Sequence, residues 1–323
     1  MPEYAPLWSL VSCRDAIIDG EFNKVPVLSG VTSEEGIMMV SHICREPERW
    51  ALLSEEHTWW KHLAEIAFHI HPEDASEEDR ELVVGLCREY GVLTDDMDEQ
   101  VLIEPNSTKQ QKKALLKKLV TLFGDGYFKM GTLDALQLIS THGVPSFQYR
   151  FAYDGEWKFA DLLTMNARKL AVKFVVDSIT GRVVHGPQIP GVCHAEELHF
   201  LFSPTLWGMR NTLPSDKDKE VSMRVVAHWV NFTKWADPSI PGEPWTRVMP
   251  GQTDYMEIGE RDRMRKFEEI EEQRFVMWKA IFKERENAKV KTTPLVIKLK
   301  PKPIVNLDDT LIANIKQNVP LNG

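Results

Sequence analysis

Apolar and polar positions follow two rhythms along the chain, and the rhythm changes at recognisable places. Lys24 to Gly30 (KVPVLSG) is a short β-branched and apolar run closed by glycine, the pattern of a buried strand that stops where VTSEEG opens a loop. From there to about residue 142 the spacing is helical. Trp59, Leu63, Ile66 and Ile70 mark one face of a helix over Glu55 to Ile70, and Ser76 opens another that carries Leu82, Val83 and Leu86 and ends at Gly91. Two more helices follow, Lys112 to Phe123 and Leu133 to Ser140, the second stopped by Gly143 and Pro145.

Beyond residue 145 strands return. Ser146 to Tyr153 (SFQYRFAY) alternates as a strand does, and Val172 to Val184 reads as a hairpin around Asp177 to Gly181. Ser215 caps a helix with Val221, Val225, Trp229 and Phe232 on one face, and Pro238 and Pro241 break it. A strand over Asp254 to Ile258 precedes a long charged helix, Asp262 to Lys283, which turns Met264, Phe267, Ile270, Phe275, Trp278 and Ile281 inward. Few strands among long helical stretches predict an α/β class with a small or incomplete sheet.

Composition narrows the function. The 323 residues are 43% hydrophobic and 27% charged, a globular balance that excludes disordered and fibrous classes. A net charge of −9 disfavours nucleic acid as a partner. No run of apolar residues is long enough for a membrane span, and the start, Met1-Pro2-Glu3-Tyr4, carries no signal-peptide pattern. Cys13, Cys44, Cys87 and Cys193 are widely and irregularly spaced, without a CxxC pair, which declares neither a zinc site nor a disulfide framework. His57, His62, His69 and His71 are read as a solvated helix face rather than a metal cluster.

Two loops carry candidate chemistry: VTSEEG after the first strand, and PGVCHAEE (Pro190 to Glu197) after the second strand and its hairpin. A carboxylate and a histidine, each on a loop beyond a strand, are the second and third members of a hydrolase triad in the chain order Ser, acid, His. Spacing by itself favours the plainer reading, a solvated glutamate and a surface histidine. Nowhere in the sequence is there a GxSxG nucleophile motif, or an HGG-type stretch that could supply oxyanion-hole amides.

The blocks PVLSGVTSEEG, PGVCHAEELHFLF and VVAHWVNFTKWADPSIPGEPWTRV, with FGDGYF (Phe123 to Phe128) between the first two, resemble the C-terminal half of the type-B carboxylesterases, from about Phe22 to about Phe282. The resemblance implies a partial α/β-hydrolase fold, the C-terminal part of a mostly parallel sheet with flanking helices. It places Glu35 on the family's catalytic acid and His194 on its catalytic histidine, with no metal or cofactor. It also implies that the serine lies upstream of this sequence, so that the chain is expected to be inactive alone and to act on a small-molecule ester only when the missing half is restored. The alternatives are a non-catalytic, adhesion-type homologue and a truncated gene product. Residues 1–282 form the hydrolase portion in this reading and 283–323 an exposed basic tail, its stretch Lys283 to Lys302 holding seven basic and two acidic residues. Asn106 and Asn231 open N-glycosylation sequons. Relatives of this kind are commonly exported, although nothing here directs this polypeptide. Cys193 is assigned to packing and Asp125 to a structural hydrogen bond at a turn.

Overall fold

A computed structural model describes residues 13–45, 48–68, 71–94, 101–156, 158–165, 172, 176, 191–202, 213 and 215–292. The chain divides into two compact units, Met1–Ile281 and Phe282–Gly323. In the second unit the described residues, 282–292, are helical.

The first unit is built on a four-stranded sheet in the order β1 (Val27–Thr32), β2 (Ser146–Phe151), β3 (Asp254–Ile258), β4 (Arg263–Lys266). The pairs β1·β2 and β2·β3 are parallel and β3·β4 antiparallel. This mostly parallel sheet with helices against it matches the expected α/β class. Among the described residues the outer edge of β1 has no strand partner.

Alternation along β2 sorts the two faces of the sheet. Phe147, Tyr149 and Phe151 point to one side, where they meet Met256 and Ile258 of β3, Phe200 of α9 (Leu198–Leu201), and Val221 and Val225 of α10 (Asp216–Trp235). Trp245 closes this core and donates its indole N–H to the Gln148 carbonyl at 3.1 Å. The order of elements before β2 is α1 (Cys13–Ile18), β1, α2 (Ile37–Arg45), α3 (Glu48–Leu53), α4 (Trp59–Phe68), α5 (Glu77–Glu89), α6 (Lys109–Gly124) and α7 (Met130–Thr141). After it come α8 (Phe159–Thr164), α9, α10, β3, β4 and α11 (Glu269–Thr292). Reciprocal capping boxes start α5 at Ser76 and Asp79, α6 at Thr108 and Gln111, and α10 at Ser215 and Asp218.

Several expected boundaries move, each for a visible reason. Gly30 does not end β1. The strand runs on to Thr32, because the glycine makes room for Tyr149, its register partner on β2, whose ring and carbonyl any Cβ at 30 would overlap. The helix expected over Glu55 to Ile70 begins only at Trp59, as α4, after a turn in which His57 adopts φ 61° and which separates it from α3; Ile70 lies outside the described residues. The two helices expected on either side of FGDG are continuous through a π-helical turn, Asp125–Lys129. The helix expected from Asp262 begins only at Glu269, since Arg263 and Arg265 pair across the strand with Glu257 to form β4. Ile270, expected inward, is exposed, whereas Phe267, Phe275 and Trp278 are buried. The hairpin expected over Val172 to Val184 falls almost wholly outside the described residues; Val172 and Val176 are helical. Helix α11 continues to Thr292, and the rest of the expected tail is outside the described residues.

Among the described residues no helix is long and apolar enough to cross a membrane. Cys13, Cys87 and Cys193 are free thiols.

Candidate active site

Sheet geometry brings two loops together. The first, Ser33 to Gly36, leaves β1 and enters α2; the second, Gly191 to Glu197, leads into α9. They pair like a short ladder. The Glu34 amide donates to the Val192 carbonyl at 3.0 Å, and the Val192 amide donates to the Glu34 carboxylate at 2.7 Å. The Ser33 hydroxyl donates to the same carboxylate oxygen. Gly191 is required here, because it adopts φ 127° and a Cβ would overlap the Glu34 carboxyl group.

Glu34 thus clamps the loops and leaves Glu35 to face inward. Glu35 is 5% exposed, takes the Thr32 amide on Oε1 at 2.6 Å, and meets His194 Nδ1 with Oε2 at 2.6 Å. Its position is fixed from behind by Gly36, which packs so tightly on the Val120 carbonyl and the Gly124 amide of α6 that no Cβ fits.

His194 sits on a turn in which Ala195 takes the left-handed conformation, φ 66°. The Glu196 carboxylate holds that turn by accepting the Cys193 amide at 2.8 Å and the Phe159 amide at 3.1 Å. On the ring face Phe128 stacks at 4.5 Å between centroids with an interplanar angle of 29°. Phe128 comes from the π-helical turn, where Gly126 lies under the Trp278 indole, 2.6 Å from where a Cβ would stand. Asp125, in the same turn, accepts the Tyr90 hydroxyl at 2.7 Å and pairs with Lys129 at 3.0 Å, which is the structural role expected for it.

The electrostatics follow from this placement. The hydrogen bond that His194 donates to Glu35 raises the His194 pKa above its ordinary value, against the opposing effect of burial, and the charges of Glu35 and Glu197 add to the rise. Burial pushes the Glu196 carboxyl up to about 8, partly offset by its two backbone donors. It also pushes the Cys193 thiol well above its ordinary value, so that group stays protonated and is no thiolate nucleophile. With Nδ1 held by Glu35, Nε2 is the ring nitrogen able to take a proton from a hydroxyl and return it.

Glu35 and His194, 159 positions apart in sequence, are therefore direct neighbours. Asn106 lies exposed in the turn before α6. Asn231, on α10, donates its amide to the Ser239 carbonyl at 2.6 Å. Among the described residues no group of His, Cys, Asp and Glu is arranged to hold a metal. Sequence reasoning passed over Phe128 and Glu197, although both stand inside the blocks that carry the resemblance.

Comparison with known proteins adds an independent line. The family model described as "Carboxylesterase family" matches residues 12–278. The juvenile hormone esterase of Tribolium castaneum is 24% identical over 222 residues, covering 68% of this chain and 32% of that protein. The acylcarnitine hydrolase of Mus musculus is 29% identical over 65 residues, 20% of this chain and 11% of that protein; that of Rattus norvegicus is 28% identical over the same length. This chain therefore spans about a third of the length of the beetle relative and a smaller share of the others.

Proposed function

The chain belongs to the carboxylesterase family, and on that premise we propose that it contributes the acid, Glu35, and the base, His194, of an ester-hydrolysing triad whose hydroxyl nucleophile these 323 residues do not supply. The 2.6 Å bond between Glu35 Oε2 and His194 Nδ1 carries this reading. It is the contact that fixes an imidazole tautomer and stabilises the imidazolium formed when Nε2 takes a proton.

In the reaction His194 accepts the proton of a serine hydroxyl as the oxygen attacks the ester carbonyl, then protonates the departing alcohol. Water attacks the acyl-enzyme by the same route and releases the acid. Glu35 orients the ring and stabilises the imidazolium through its bond to Nδ1. Phe128 keeps the imidazole plane steady by covering one face.

The absence of a GxSxG motif supports the further reading that the polypeptide is inactive alone, since removing the nucleophile or the base of a triad costs about a millionfold in a serine protease. The same absence favours a non-catalytic homologue as the second reading. A fluorophosphonate probe separates them. The 323-residue chain should stay unlabelled, and the same chain joined behind the upstream part of the beetle juvenile hormone esterase should be labelled. Labelling of the chain by itself would overturn the absence of a nucleophile, and an unlabelled, folded fusion would favour the non-catalytic reading.

A further inference from the structure

Beside the Glu35–His194 pair stands a carboxyl group that the proposed chemistry does not use. Glu197 follows His194 on the same turn, just before α9. Its Oε1 accepts the Tyr149 hydroxyl at 3.4 Å, whereas its Oε2 is buried and has no hydrogen-bond partner among the described residues. A buried carboxylate oxygen without a donor is costly, so its retention beside a histidine calls for a charge or donor to which it responds. The fold makes room for the arrangement. Tyr149 occupies the middle of β2 and lies over Gly30 of β1, and any side chain at 30 would displace the ring that anchors Glu197.

We propose that Glu197, hung from Tyr149, is a positioning residue: a second carboxylate that acts together with Glu35 on the His194 ring and stabilises its protonated form. This rests on the assignment of Glu35 and His194 as acid and base. The interaction is reciprocal, as such coupling must be. Glu197 raises the pKa of His194, while the charge of His194 lowers that of Glu197 against the rise caused by burial and by Glu35.

The other ionisable groups at the site are engaged elsewhere. Glu34 is bonded to the Val192 amide, and Glu196 is turned to the Cys193 and Phe159 amides. Burial keeps the Cys193 thiol and the Tyr149 phenol protonated. Phe128, which covers the ring face, carries no charge. Among the described residues Glu35 and Glu197 are thus the carboxylates that act on His194. During proton transfer Glu197 would lower the energy of the imidazolium without touching the reacting atoms.

The test is an NMR titration of the His194 ring in the full 323-residue chain, which needs no esterase activity. Glu197→Gln is expected to lower the His194 midpoint by about half a pH unit or more, from the loss of one nearby partly buried charge. Glu196→Gln, a neighbour whose carboxylate faces other partners, is expected to leave it in place. An unmoved midpoint in Glu197→Gln, or an equal fall in both variants, overturns the proposal. If Glu197→Gln does not fold, Tyr149→Phe takes its place. It removes the donor that favours the ionised Glu197, so a lowered midpoint is again expected and an unmoved one overturns the idea. Glu35→Gln tests the acid and base assignment separately: failure to lower the midpoint there sinks that assignment whatever Glu197 does.

Discussion

At the scale of single residues the site depends on glycines that stand where no side chain fits. Gly36 lets the acid loop rest on the α6 backbone, and Gly191 lets the histidine loop close over Glu34. Gly36→Ala would drive a methyl into the Val120 carbonyl, which is backbone and cannot turn aside, so a loss of about 3 kcal/mol in a chemical-denaturation measurement is expected. Glu196 gives a pH prediction. Its folded pKa is raised to about 8, so its contribution to stability is complete below the ordinary glutamate value and is lost as pH rises through about 8. Denaturation midpoints taken across that window should fall for the native chain and stay flatter for Glu196→Gln. The proximity of Glu35 and His194 was legible only from blocks of sequence, since nothing in their spacing brings them together. Phe128 and Glu197 were missed because a stacking aromatic and a half-satisfied carboxylate have no signature along a chain; they emerge from what lies opposite them.

At the scale of elements the instructive case is the π-helical turn Asp125–Lys129 between α6 and α7. FGDG reads as a break, because glycine is the strongest local stop signal. Here the two glycines serve close packing instead: Gly124 lies against Gly36 and Gly126 under Trp278, and the widened turn carries Phe128 to the His194 ring. Such single π turns occur often at functional sites. The Trp278 indole is 3% exposed and donates to the Tyr90 hydroxyl at 2.8 Å, which in turn donates to Asp125. Trp278→Ala should cost about 3–5 kcal/mol of stability, and it should also move the His194 ring resonances as the stacked Phe128 shifts. Strand β4 was misread for a related reason: a short run of alternating charge looks like the exposed face of a helix until its partner, Glu257, is known. The capped helices α5 and α10 were legible, because Ser76 and Ser215 with their partners act within a few residues of themselves.

At the scale of the whole molecule, membership of the carboxylesterase family and the partial, mostly parallel sheet agree with a chain that spans about a third of its beetle relative. The two sequons differ in what surrounds them. Asn106 is exposed in a turn, whereas the Asn231 amide is held by Ser239. If the chain is passed through a secretory pathway, Asn106→Gln should abolish the glycosidase-sensitive mass shift and Asn231→Gln should leave it. The central claim concerns the pair at the loop ends. It is tested most directly by the rate at which a fluorophosphonate labels the fusion to the upstream esterase half, compared with the same fusion carrying His194→Ala. A fall of about a thousandfold or more is expected if His194 is the base that activates the hydroxyl. An undiminished rate in a folded His194→Ala protein would contradict the account.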